Sequence, residues 1–336
     1  MSPAIMSDLG RARRPEDGVR NGRSRDGPGE SRMMGHITDP SAPGGLVRRE
    51  LSEPEVDSHD TVIGVRAYSV NRGELNLLRA RPDGWRPGQD VAGTVLRQAA
   101  DGTGPPAGVR VAGHADSGSW SEWVGVPSHR VAPIPDSTSF ADAAALPAAG
   151  LTAFRALQTG GPLLGKRVLV TGASGGVGHL AVQLADLAGA TVTGLVSGPL
   201  RKEALTGFNV EVVTSLDGAG PFDLVLEGVG GQVLIEAIHR VAPGGTVAAL
   251  GMASGERSSF AFNDFPWGKL AWLVPFYLWA TPEETFADDL GYLARLVGAG
   301  RLEVRWNVRR DWSETDEAVA MLRERQATGK VVLTIS

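Results

Sequence analysis

The sequence contains no cysteine. That excludes disulfides, thiolate metal sites and cysteine nucleophiles at once, and it fits a reducing, cytoplasmic setting. Tyrosine is nearly as scarce, with three residues, Tyr68, Tyr277 and Tyr292, so few phenols are available as proton donors. Long apolar runs are missing too. The most apolar stretch, Leu270 to Ala280, is 11 residues and is broken by Pro275, too short for a membrane span. Neither sign of charge dominates: 33 basic and 38 acidic residues leave a formal net charge of -5. Nothing in that balance favours nucleic acid or an anionic membrane as partner. His59, His114 and His129 have no carboxylate or second histidine at ligand spacing, and they read as surface or loop histidines.

Residues 1–33 mix Arg, Gly, Ser, Pro, Asp and Glu without an apolar core. They are expected to form a disordered extension. A signal peptide would need an apolar segment, and a mitochondrial leader would be poor in acids, unlike a stretch holding Asp8, Glu16, Asp17, Asp26 and Glu30.

Glycine is abundant, at 45 residues, and its most informative use lies within Lys166–Val196. Val168-Leu169-Val170 reads as a buried strand. Gly172-Ala173-Ser174-Gly175-Gly176-Val177-Gly178 reads as a turn, and Leu180, Val182, Leu184 and Leu187 as the apolar face of a helix. Thr191 to Val196 reads as a second strand. This is one βαβ unit. Its turn leaves N–H groups free at a helix N-terminus, where the dipole favours an anion and no side chain blocks a pyrophosphate.

Further strand–helix alternation follows at Arg201–Leu205, Val210–Val213, Phe222–Glu227, Gln232–Val241 and Gly244–Gly251. The reading is an α/β fold with a doubly wound, Rossmann-type parallel sheet. Before it, short alternating segments such as Thr61–Val70, Asp90–Leu96 and Ser119–Val126, separated by Gly and Pro turns, predict a small antiparallel barrel or sandwich. After it, Glu283–Gly298 and Glu314–Gln326 read as helices, Glu303–Asp311 as strand-like, and Gly329–Ile335 as a closing strand that returns to the first domain. The expected division is residues 34–156 with 281–336 as one domain and 157–280 as the inserted nucleotide-binding domain.

AxSVN (67–71), PGQDVAG (87–93), ALPAAGLTAF (145–154), VTGASGGVG (170–178), DLVLEGVGG (223–231), APGGTVAALG (242–251) and GKVVL (329–333) occur in collinear order. The chain thereby resembles the zinc-free, quinone oxidoreductase-like branch of the medium-chain dehydrogenase/reductase superfamily. The resemblance implies a GroES-like catalytic domain around the Rossmann domain and, often, a homodimer. Gly88-Gln89-Asp90 stands where metal-dependent relatives carry Gly-His-Glu, so no metal is expected.

The resemblance also places Thr152 beside the nicotinamide, Ser174, Gly175, Gly176 and Val177 at the pyrophosphate, and Val229, Leu250 and Gly251 at strand ends facing the cofactor. Arg325 and Lys330 lie where the C-terminal segment approaches it; both read equally well as helix-surface charge. Ser197 occupies the place of the acid that would bind the ribose in an NAD site. With Arg201 four residues on, NADPH is the expected cofactor. Asn71 matches an asparagine near the nicotinamide ribose and reads equally well as a cap of the following helix. Relatives carry tyrosines where this chain has Asn76 and Trp85. Tyr68 is the one phenol near Asn71 in sequence and is taken with it as the catalytic pair.

The implied chemistry is metal-free reduction of an activated C=C or a quinone. Phe260 to Trp279 packs eight aromatics into 20 residues, pointing to a bulky apolar substrate, a lid or a dimer contact. Two other readings stay open: a reductase of enoyl thioesters in lipid or polyketide assembly, and a non-catalytic NADPH-binding sensor or scaffold.

Overall fold

Most strands belong to two sheets, and the chain crosses from one to the other and back. The computed structural model describes residues 31–265 and 270–336. The extension expected for residues 1–33 lies outside the described residues except at its end. There β1 (Arg32–Thr38) already pairs with β2 (Leu46–Ser52) in an antiparallel hairpin, and Met33 is buried.

β3 (Asp60–Val70) is the spine of a seven-stranded sheet. It pairs antiparallel with β4 (Asp90–Arg97) and with β6 (Trp123–Pro127). β5 (Arg110–His114) and β7 (Val131–Pro133) extend the sheet beyond β4. β3 leads into α1 (Arg72–Ala80). Two short helices follow, α2 (Phe140–Ala144) and α3 (Pro147–Gln158). The Ala-rich stretch does not form one continuous helix, because Pro147 has no N–H to continue the ladder and starts a new helix at its N1 position.

The second sheet is wholly parallel. β8 (Arg167–Thr171), β9 (Thr191–Leu195), β10 (Glu211–Val213), β11 (Phe222–Glu227), β12 (Val241–Ala249) and β13 (Trp272–Pro275) lie in the order β10-β9-β8-β11-β12-β13. That is the doubly wound order, and its reversal falls between β8 and β11, where such sheets bind ligands at the carboxyl ends of their strands. α4 (Gly178–Leu187) links β8 to β9, α5 (Pro199–Lys202) follows β9, and α6 (Gln232–His239) links β11 to β12. Trp267 of the aromatic stretch lies outside the described residues. Of the rest, Trp272 and Trp279 are exposed, while Phe276 is buried.

α7 (Phe286–Gly298) then packs back against β7 and α3. β14 (Val308–Asp311), α8 (Thr315–Arg323) and β15 (Val331–Thr334) complete the chain. β15 pairs antiparallel with β3, Val331 opposite Val70 and Leu333 opposite Tyr68. The stretch expected as a strand from Glu303 is regular only from Val308. Before that its backbone is bonded to α4 side chains: Gln183 Nε2 donates to the Glu303 carbonyl, and Glu303 N donates to Gln183 Oε1.

The helix of the βαβ unit crosses its own turn closely. A Cβ on Gly178 would lie 2.4 Å from the Gly172 carbonyl oxygen and 2.7 Å from Ala173 Cα, backbone atoms that cannot swing aside. Gly178→Ala is therefore expected to lower unfolding stability by about 2 kcal/mol, read as a lower urea midpoint. Gly73→Ala, with nothing within 4 Å, should leave the midpoint unchanged or raise it.

Candidate functional site

The site is built where the carboxyl ends of β8, β11 and β12 meet the last segment of the chain. After β8 the chain turns at Gly172, whose φ of 59° suits glycine. Gly175 N closes the turn on the Gly172 carbonyl at 2.9 Å. Ser174 is buried, and Val177 is the residue from which α4 starts. The segment before β15 lies along this turn: Gly329 N donates to the Ser174 carbonyl at 2.8 Å, and Gly175 and Gly329 form a parallel bridge. A Cβ on Gly176 would meet Lys330 Cδ at 3.1 Å. Bare backbone faces this junction, as a pyrophosphate cradle requires.

The turn after β11 is ordered by a buried carboxylate that sequence reasoning did not single out. Glu227 is fully buried and accepts from Thr171 Oγ1 at 2.9 Å, Val229 N at 2.7 Å and Gly230 N at 3.0 Å. Burial pushes its carboxyl up, against the pull of those donors. Leu250 N donates to the Glu227 carbonyl, and Ala253 N and Ser254 N reach Gly228 and Val229. Val229, Leu250 and Gly251 thus share one edge with the glycine turn.

From the other sheet comes Asp90, also fully buried. Its Oδ2 accepts from Ser69 Oγ at 2.5 Å and Asn71 Nδ2 at 2.7 Å, and it lies 3.2 Å from Lys330 Nζ. Its Oδ1 accepts from Ala148 N at 2.7 Å, a free N–H in the first turn of α3. Lys330 Nζ also donates to Asn71 Oδ1 at 2.5 Å. Asn71 and Lys330 are therefore brought together. Lys330 is 2% exposed, so its alternative reading as surface charge is set aside. Asn71 does stand at the N-cap of α1, in a capping box with Glu74, which accepts from Asn71 N at 2.7 Å; the Asn71 amide is also bonded to Asp90 and Lys330. Thr152 sits one turn along α3 from Ala148, half-buried.

Tyr68 is not brought to this group. Successive side chains on a strand face opposite sides, and Ser69 faces Asp90. Tyr68 therefore points into the barrel core, stacked on Trp120 at 5.8 Å, with its hydroxyl 2.6 Å from Thr315 Oγ1. Burial drives its phenol far above the usual range. His114 also departs from expectation: its ring is edge-on to Phe286 at 5.9 Å, and its Nδ1 is buried without a partner among the described residues. Among those residues no group of acids and histidines could hold a metal ion.

Arg201 and Arg325 meet at the outer side of the junction. The Arg201 guanidinium donates to the carbonyls of Arg325 and Ala327, the latter at 2.8 Å. Arg325 donates to the Ala253 and Ser254 carbonyls at 2.9 and 2.7 Å. Its φ is 61°, positive for a non-glycine residue, a conformation costing about 1 kcal/mol. Arg72, absent from the sequence-derived set, faces both: burial, then Arg325 and Arg201, hold its guanidinium below the usual range. Ser197 is exposed just past β9.

A Rossmann sheet with a glycine turn, closed by a GroES-like barrel, defines a nicotinamide-type oxidoreductase scaffold. Residues 204–333 match the family model described as zinc-binding dehydrogenase. The chloroplast envelope quinone oxidoreductase homolog of Arabidopsis thaliana is 28% identical, over 86% of this chain and 94% of that protein. The spectinabilin polyketide synthase system protein NorB of Streptomyces orinoci is 31% identical over 81% of this chain, which spans 13% of its length. A solved mycobacterial structure complexed with NADPH covers 91% of this chain and is itself covered completely (100%), with a TM-score of 0.80 and 24% identity, a likeness of fold. The chain is thus similar in sequence to quinone oxidoreductase homologues and shares the fold of a solved quinone oxidoreductase, in line with the medium-chain dehydrogenase/reductase resemblance of its motifs.

Two outcomes follow from the buried charges. Asp90→Asn leaves Lys330 without its counter-charge and should cost about 3 kcal/mol in chemical denaturation. Lys330→Met in the same chain should recover much of that loss. Burial, then the neighbouring Asp90, pushes Glu74 from 4.5 up to about 8. The folded state therefore holds a proton that the unfolded state releases. Stability should be greatest on the acid side of this window and fall as pH rises through it. Glu74→Gln should flatten that slope in urea titrations run below and above the window.

Proposed function

We propose that this chain is an NADPH-dependent reductase of an activated C=C or a quinone, working without a metal. The observation that carries the reading is the meeting of Asn71, Asp90 and Lys330 with the glycine turn at Ser174 to Val177. The turn supplies bare N–H groups for a pyrophosphate, and Lys330 lies across it with its ammonium fixed. Thr152, Val229, Leu250 and Gly251 would border the nicotinamide. When bound, NADPH would supply a hydride to an electron-poor carbon.

The preference for NADPH over NADH is supported by the lack of an acid at Ser197 and by the positions of Arg72, Arg201 and Arg325. None of these three has a carboxylate partner among the described residues. Guanidinium groups suit a phosphate. Asn71 and Lys330 would orient a carbonyl and favour the negative charge building on it. Tyr68 takes no part, since it is buried in the barrel core. An enoyl thioester remains a second candidate substrate, favoured by the similarity to NorB. A second copy of the chain is the proposed partner, with β13 as an open sheet edge bearing the exposed Trp272.

Titration with NADPH and NADH tests the cofactor, and equal affinities would sink that assignment. Arg72→Ala and Arg325→Ala are each expected to weaken NADPH about tenfold, the worth of one charge-assisted contact, with little effect on NADH. NADPH oxidation should be seen with an enone, a quinone or an enoyl thioester. Tight binding without turnover of any would leave the sensor reading instead.

A further inference from the structure

His179 is the first residue of α4 after Gly178. It is 1% exposed. Its Nδ1 lies 2.9 Å from the Gly175 carbonyl, which can only accept, so Nδ1 carries the proton. Its Nε2 lies 3.2 Å from Arg305 N, which can only donate, so Nε2 accepts. The two neighbours fix one neutral tautomer. Burial, ahead of repulsion from Lys330 and Arg305, lowers the imidazole to about 4, so it is neutral under ordinary conditions.

The bond to Arg305 does not end there. The Arg305 carbonyl accepts from Lys330 N at 2.8 Å, and Lys330 Nζ reaches Asn71 and Asp90. Three hydrogen bonds, joined by the covalent backbone of Arg305, therefore link the glycine turn through the imidazole to the backbone N–H of Lys330, the residue that carries the buried ammonium. A helix residue that only filled space here would need neither nitrogen. Surrounding bonds already hold the segment to α4 through Gln183, so the imidazole adds direction rather than attachment.

We infer that His179 is a positioning residue that sets the glycine turn against the segment carrying Lys330, so that nucleotide affinity depends on both of its ring nitrogens. This rests on the nicotinamide-nucleotide reading of the turn. The test is NADPH affinity, measured by quenching of tryptophan fluorescence, in wild type, His179→Ala, His179→Asn and His179→Gln. Thermal melts without cofactor report folding.

Asparagine can place an N–H near Nδ1, and glutamine an acceptor near Nε2. His179→Ala is expected to weaken NADPH about tenfold, and each amide variant to recover part of that loss. Three folded variants that bind as tightly as wild type would overturn the inference. So would amide variants that bind no better than His179→Ala, because packing alone would then explain the loss. If His179→Ala fails to fold, the two amide variants decide the matter against wild type. A folded wild type that binds neither NADPH nor NADH would instead bring down the nucleotide reading, and this inference with it.

Discussion

An ammonium buried to 2% exposure must be answered by charge and hydrogen bonds. Lys330 is answered by Asp90 and Asn71, which lie 240 and 259 residues earlier in the chain. That requirement explains much of the architecture. The C-terminal strand cannot pair with β3 unless Lys330 enters between the sheets. Lys330 cannot enter unless Gly329 passes close to Arg305, where a Cβ would stand 2.0 Å from the Arg305 carbonyl oxygen. Closing so long a loop costs little more entropy than closing one half its length. The insertion of a whole sheet between β3 and β15 is therefore tolerable, and the ion pair ties the start of β15 to β4 within the barrel sheet, beside the glycine turn.

Three buried carboxylates repeat one device around that junction. Glu74 accepts from Asn71 N and Gln89 N, Asp90 from Ala148 N, and Glu227 from Val229 N and Gly230 N. Each gathers N–H groups that an irregular turn or a helix start leaves without a backbone partner. Loops bent for a ligand lose ladder bonds, and short acidic side chains restore them without covering the outer face of the turn. Glu74 keeps its proton in the folded state, and the charge of Asp90 is offset by Lys330.

The nucleotide half was legible because its signals are local. Val168–Val170, the glycines and the Leu/Ala helix are contiguous, and each element is set by its own residues. The barrel half was legible as alternation, but its functional parity was not. Tyr68 and Ser69 are adjacent, and only the pairing of β3 with β4 and β15 decides which of them meets Asp90. The sequence resemblance set Gln89-Asp90 against a metal ligand pair and so drew attention to what was missing there. It did not reveal that Asp90 had become the hub. Glu227 was visible only as the last residue of a strand, and His179 only as one polar residue in an apolar helix. Their distant partners, Thr171 and Arg305, emerge only from tertiary proximity. His114 illustrates the same limit, since its direct pairing with Asp90 across β4 and β5 puts it on a buried face.

The arginine rim differs from the simple picture of one basic residue behind the second strand. Arg201 spends its guanidinium on the carbonyls of Arg325 and Ala327, holding Arg325 in its left-handed conformation. Arg325 in turn reaches the loop after β12, and Arg72 stands near both. Like charges this close raise one another's cost, and the backbone carbonyls offset that only in part. An anion with several oxygens would relieve all three at once. The local strain at Arg325 is consistent with that role, because a residue is kept in an unfavourable conformation only where its neighbours impose it. On the proposed NADPH reading, Arg201 would shape a phosphate site through Arg325, and discrimination between phosphorylated and plain ribose would belong to the cluster rather than to any one side chain.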